Sequence, residues 1–176
     1  GMALNLPGVQ ELLGLDPLTK MLLEFKTHGD KSFKKLALEG VRISKPQHWA
    51  QMQTYMEKKG LPYALYMAVN KNDDDLYLEF IKAEPAHGKR FLQRASSIIL
   101  SPQPPNRCSR SARKPPCSWC PAKQICHFGA PYTPSCRNCK HVMPVDGGQW
   151  YCNRYQTVVD DKLQRTGCTD HDPITD

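Results

Sequence analysis

All eight cysteines of the chain fall between Cys108 and Cys168, and the first 107 residues carry none. Thiols confined to one end mean that this end is held together differently from the rest, so the sequence divides into two units. The break lies in SPQPPNRCSRSARKPP, from Ser101 to Pro116, where Pro, Ser and Arg displace the apolar pattern and no regular element is expected. The expected organisation is a core over residues 2–100, a basic Pro/Ser/Arg linker over 101–116 and a cysteine-rich tail over 117–176. A length of 176 residues suffices for one ordinary core and a small satellite, which excludes a large multidomain machine. Gly1 ahead of Met2 reads as a residue left over from expression.

No apolar run approaches the roughly 18–20 residues that cross a bilayer. The opening GMALNLPGVQELLGL lacks a basic n-region and is interrupted by Pro7, Gln10 and Glu11. A soluble, cytoplasmic chain with no membrane partner is expected. Its net charge of +7, from 24 Lys+Arg against 17 Asp+Glu, favours polyanionic partners without identifying one.

In the first unit, MLLEF at Met21–Phe25 is a short apolar run that reads as a buried strand, with a loop after it. A helix is expected from Lys45, with Pro46 in its first turn and Gly60 as its stop. Trp49, Met52, Tyr55 and Met56 make its apolar stripe. YALYMAVNK and LYLEFIK around the acidic NDDD turn predict a β-hairpin. A second helix, from about Glu84 to Leu100, carries Phe91, Leu92, Ala95, Ile98 and Ile99 and stops at Pro102. The expected order is strand, helix, strand, strand, helix.

Glu24 and Lys26 are two apart on the first strand, so a carboxylate and an ammonium leave one face. Such a pair can hold a hard cation and offset charge on a phosphorane, although an isolated Glu-x-Lys is far more often a structural ion pair. Gln51 and Tyr55 are four apart on the following helix and therefore share a face.

LLEFKTHGDKSFKKLALEGVRISKPQHWAQMQTYM, ALYMAVNKNDDDLYLEFI and CSWCPAKQIC together resemble the phage and prophage branch of the PD-(D/E)xK nucleases, related to the RecB and Cas4 nuclease domains. The resemblance runs from about Leu22 to His171 and rests on the order of Glu-x-Lys, Gln-x-x-x-Tyr, Asn70-Lys71 and the cysteine tail. It implies an α/β, restriction-endonuclease-like core, a mixed sheet with flanking helices. It also implies phosphodiester hydrolysis on DNA in a bacterial host cell, alongside phage recombination or replication proteins. By that likeness Glu24 is a ligand of Mg²⁺ or Mn²⁺, Lys26 the catalytic lysine, and Gln51 and Tyr55 the helix residues facing the site and the DNA. The family pattern also has an opening helix and an Asp-bearing strand. Here Pro7 stands where that Asp is expected, and Asp16, with seven residues between it and Glu24, is the sole Asp upstream. The chain therefore reads as an N-terminally truncated relative, and the competing reading is an inactive nucleic-acid-binding or interaction module.

Cys117, Cys120 and Cys126 form C-x2-C-x5-C, and Cys136 and Cys139 open a second C-x2-C completed by Cys152 and Cys168. Soft thiolates at this spacing select Zn²⁺ or an iron–sulfur cluster; disulfides and redox exchange are the weaker alternatives without a secretory signal. The second set supplies four ligands for one tetrahedral Zn²⁺. The first wants a fourth: His127 points to Zn²⁺, whereas Cys108 would complete a set able to hold a [4Fe-4S] cluster. Arg107, Arg110, Arg113, Lys114 and Lys123 surround the first knuckle, and Trp119 lies inside it. This stretch could grip phosphates with a base stacked on Trp119, or be a solvated linker with Trp119 packed on the metal loop.

Overall fold

In the computed structural model, which describes residues 2–4, 7–101 and 105–174, the chain forms two compact units, Gly1–Ala95 and Ser96–Asp176. The first opens with a strand and helix that the sequence reading does not contain, β1 (Met2–Leu4) and α1 (Pro7–Leu12). β2 (Met21–His28) continues three residues past the apolar run that announces it. Two helices follow, α2 (Asp30–Ser44) and α3 (Pro46–Lys59), then the hairpin strands β3 (Tyr63–Asn70) and β4 (Leu76–Lys82), and α4 (Pro85–Leu100).

The four strands make one sheet in the order β1-β2-β3-β4. β2 and β3 are parallel, and the other two pairings are antiparallel. The sheet is therefore mixed, as expected, because a parallel pair needs a crossover and α2–α3 supplies it. Leu22, Phe33, Leu36, Val41, Trp49, Met52, Met56, Ala64 and Tyr66 build the core between this crossover and one sheet face. The opposite face is also apolar, with Leu23, Leu65 and Phe80 in one row and Phe25, Met67 and Leu78 in the next. It is open at Phe25 (60% exposed) and Leu78 (55% exposed).

α2 occupies the stretch expected to be a loop. Its Lys31, Lys34, Lys35 and Glu39 hide the apolar rhythm, since only Phe33, Leu36 and Val41 are buried. Ion pairs at four-residue spacing, Lys34–Asp30 at 2.9 Å and Lys35–Glu39 at 3.7 Å, support the exposed side. Gly40 breaks the helical geometry at φ 73°, and Glu79 Oε2 accepts the hydrogen bond of the Val41 N–H freed there, at 2.8 Å.

α3 matches its expected ends: Pro46 sits in the first turn, and Gly60 closes the helix in the left-handed conformation. Its buried Gln53 donates to the Lys82 carbonyl at 3.0 Å and accepts from the Glu84 N–H at 2.7 Å, tying β4 and the start of α4 to the helix. α4 packs closely on α3 at Gly88. Its expected apolar stripe is buried at one end alone: Phe91 meets the core, while Ile98 and Ile99 are exposed. Pro102, its expected stop, lies outside the described residues.

In the second unit, residues 105–116 are irregular, as the linker composition implies. A 3-10 turn at Cys117–Trp119 leads to α5 (Lys123–Phe128). A second turn at Cys136–Asn138 leads to a three-stranded antiparallel sheet of β5 (Val142–Pro144), β6 (Trp150–Cys152) and β7 (Thr157–Val159), followed by α6 (Asp161–Thr166). Its buried cluster is small, Cys136, Cys152 and Val159 with Val142 against them.

A Cβ on Gly88 would lie 2.5 Å from Glu57 Cβ and 2.9 Å from the Gln53 carbonyl. Gly88→Ala must push α4 off α3, at a cost of about 1–3 kcal/mol, outweighing the gain in helix propensity of about 1 kcal/mol. Chemical denaturation checks this: an unchanged or higher midpoint would show that the helices part freely.

Candidate functional site

Alternation along β2 sends Leu22, Glu24, Lys26 and His28 to the face covered by α2 and α3, grading from buried core to half-buried rim. Glu24 is 5% exposed, and its Oε1 lies 2.5 Å from Lys26 Nζ, so the two sequence-derived groups form one ion pair. Desolvating a carboxylate is costly, and the adjacent ammonium offsets much of that cost.

Opposite Glu24 in the parallel register stands Tyr66, which the sequence reading assigns to strand and nothing more. His28 Nε2 and His48 Nδ1 each lie 3.0 Å from its hydroxyl, and the two imidazoles stack at 5.7 Å. Burial holds His28 below its ordinary value, assisted by Lys45, His48, Lys71 and Lys26. His48 is lowered by burial, Lys26 and Lys45, with Glu24 opposing. Burial, Glu24 and Glu79 push the Tyr66 hydroxyl up to about 12. Beyond Tyr66, Tyr77 donates to Glu79 Oε2 at 2.5 Å, and Tyr77 is likewise raised by burial. The signal for His28 is present in the sequence, two steps beyond Lys26 on the same alternation, and His48 precedes Gln51 by one helical turn.

His48, Gln51 and Tyr55 form one stripe of α3 by their three- and four-residue spacing, and Gln51 Nε2 donates to Tyr55 Oη at 3.4 Å. Since His48 of this stripe reaches Tyr66, the helix lays the stripe toward the row of Glu24. No second carboxylate is supplied by the residues first considered. Pro7 opens α1, so it is not on the strand beside β2, and the positions facing Met21–Leu23 there are Leu4, Ala3 and Met2. Asp16 is exposed and accepts the Leu18 N–H at 2.7 Å. Among the described residues, no group of three or more His, Cys, Asp or Glu side chains is gathered in metal-holding geometry, at this site or in the tail. Glu24 alone therefore does not make a complete cation site.

All eight cysteines are free thiols. Cys136, Cys139, Cys152 and Cys168 line one cavity of about 130 Å³, with His141, Asp170 and His171 around it. Burial pushes the Cys136 thiol up, and the other three sulfurs add to the effect. The knuckle is fixed by Asn138, whose Oδ1 accepts the Ser135 N–H at 2.9 Å and meets His171 Nε2 at 2.7 Å. The set is chemically right for a soft cation, although its sulfurs are not closed to ligating positions. In the first knuckle Cys117 is buried, Cys120 and Cys126 half-buried and Cys108 exposed. His127 Nε2 is buried with no hydrogen-bond partner, the condition a metal ligand would relieve.

Arg107, Arg110, Arg113 and Lys114 are exposed, Lys123 donates to the Ser118 carbonyl at 3.2 Å, and Trp119 is 70% exposed rather than packed on the metal loop. Among the described residues, no helix is long and apolar enough to cross a membrane. Comparison of the chain with protein-family models, curated proteins and solved structures returns no match.

Lowered imidazoles set a direction for stability. Unfolding restores the ordinary value of 6.5, so the unfolded chain binds more protons as pH falls below it. The stabilisation is complete above about pH 6.5 and is lost as pH drops through the lowered folded-state values. The denaturation midpoint should fall more steeply from about pH 7 to pH 5 in the native chain than in His28→Gln/His48→Gln. Parallel curves would show that neither imidazole is perturbed.

Proposed function

We propose that the chain is a PD-(D/E)xK-type, metal-dependent deoxyribonuclease core of phage or prophage origin, working in DNA replication, recombination or repair in the host cytoplasm. The observation that carries the reading is the buried Glu24–Lys26 ion pair, set on the sheet face toward which α3 turns its His48, Gln51 and Tyr55 stripe. Lys26 is placed to offset the charge that develops on a phosphorane and to orient the attacking water. Glu24 holds that ammonium in place and offers one hard oxygen ligand. Gln51 and Tyr55 supply an amide and a hydroxyl to the backbone of the strand. A bound Mg²⁺ or Mn²⁺ would supply Lewis acidity at the phosphate and a more acidic water.

A specific observation favours the second reading, a binding module without catalysis: Asp16 is turned to its own loop, and the carboxylate on the same row as Glu24, Glu79 beyond Tyr66, is engaged by the Val41 N–H and the Tyr77 hydroxyl. Both readings use the exposed arginines and Trp119 of residues 107–119 as a salt-dependent grip on nucleic acid. In both, the tail is a structural metal module, with Zn²⁺ on Cys136, Cys139, Cys152 and Cys168. His127, rather than the exposed Cys108, completes Cys117, Cys120 and Cys126, which favours Zn²⁺ over [4Fe-4S] at that knuckle.

Plasmid nicking with Mn²⁺ separates the readings. Glu24→Ala and Lys26→Ala should each cost about two to four decades in rate. Cleavage that survives both changes belongs to another site, and no cleavage by any version selects the binding module. Elemental analysis of the purified chain should find about two Zn²⁺ per molecule, and chelation should unfold the tail. A metal-free tail that keeps its fold would remove the structural-metal assignment.

A further inference from the structure

The carboxyl ends of the parallel strands β2 and β3 gather groups that the hydrolytic site does not use. β2 ends at His28 and β3 at Asn70, and the crossover brings Lys45 and His48 back to the same end. The Tyr66 hydroxyl has a single hydrogen, so it donates to one imidazole and accepts from the other. The rings are thereby fixed, while His28 Nδ1 and His48 Nε2 lie outside this pair of bonds.

Charge at this end is mixed, with the lysines on the side of the imidazoles. Lys45 reaches back to Ser32, donating to its Oγ at 2.8 Å and its carbonyl at 3.2 Å. Lys71 follows β3 directly, and its backbone N–H bonds the His28 carbonyl at 2.9 Å. Of the acids near them, Glu24 is engaged with Lys26 at 2.5 Å and Asp30 with Lys34 at 2.9 Å, while the turn after Lys71 carries the exposed Asp73, Asp74 and Asp75. Asn70 Nδ2 also leans on Asp30, at 3.5 Å. Lys45 and Lys71, with Lys26, are nevertheless the charges that act on the His28 imidazole.

We propose that His28, His48, Lys45 and Lys71 form a subsite for a phosphate group of the nucleic-acid strand, distinct from the phosphate that is cleaved. The identity of the strand rests on the nuclease reading, whereas recognition of phosphate does not. Ammonium groups supply charge, and imidazole N–H groups supply directed bonds to phosphate oxygens. An arriving anion opposes the burial and the surrounding lysines that hold both rings below their ordinary values.

The test titrates the full chain with inorganic phosphate and with a 5′-phosphorylated dinucleotide while the imidazole nitrogen signals of His28 and His48 are followed. Both should shift together and saturate, and the dinucleotide should bind more tightly than inorganic phosphate. In His48→Gln and Lys45→Ala, each checked for folding by circular dichroism, Kd should rise by about tenfold or more. If Lys45→Ala fails to fold because Ser32 loses its anchor, Lys71→Ala takes its place. Shifts that never saturate, equal affinity in the native chain and the folded variants, or tighter binding of inorganic phosphate would each overturn the proposal. Glu24→Gln keeps it separate from the nuclease reading. Phosphate binding without cleavage by any version removes the nuclease and leaves the subsite; cleavage that requires Glu24 in a chain without phosphate binding does the reverse.

Discussion

A carboxylate at 5% exposure is tolerable only where charge and hydrogen bonding meet it, and Glu24 imposes that demand on the sheet face around it. Lys26 must stay within ion-pair distance, which keeps a cation half-buried on a central strand. The neighbouring positions follow the same logic. Tyr66 brings a hydroxyl beside Glu24, His28 and His48 satisfy that hydroxyl, and Glu79 accepts from Tyr77 and from the backbone of Val41. A polar layer thus runs through the core under α2 and α3. Each member is ordered by another, so removing one leaves its neighbour with a buried group to satisfy.

Much of this was legible from residue spacing alone. Alternation places Glu24 with Lys26, and the 3.6-residue period places Gln51 with Tyr55. Strong punctuation, Pro46 and Gly60, fixes the ends of α3 to the residue. What escaped has physical causes. α2 buries only three side chains and is interrupted at Gly40, so its charged surface outweighs its apolar rhythm. β1 is three residues long and gains its identity from pairing with β2, a contact that no local pattern encodes. The His28–Tyr66–His48 cluster joins a strand end, the next strand and the helix between them. Each residue alone reads as ordinary, and only the parallel register brings them together.

The second unit follows a different economy. Its three short strands bury a handful of side chains, three of them at Cys136, Cys152 and Val159. So little apolar burial offsets only a fraction of the conformational entropy lost on folding. The bonds of Asn138 to Ser135 and His171, and of Gln164 to Val159 and Arg137, hold the loops around the thiols. Sequence spacing identified the thiols; the scaffolding by Asn138 and Gln164 depends on contacts between residues 27 apart for Arg137–Gln164 and 33 apart for Asn138–His171.

The open part of the sheet face turned away from α2 and α3, around Phe25 and Leu78, bears on calorimetry. Phe25 and Leu78 stand in water in the folded chain, so unfolding exposes little new hydrocarbon at these positions. The heat capacity of unfolding tracks newly hydrated apolar area, ordinarily about 12–15 cal/mol/K per residue. For the first unit it should fall below that figure, giving a flatter stability curve whose value changes slowly with temperature around its maximum.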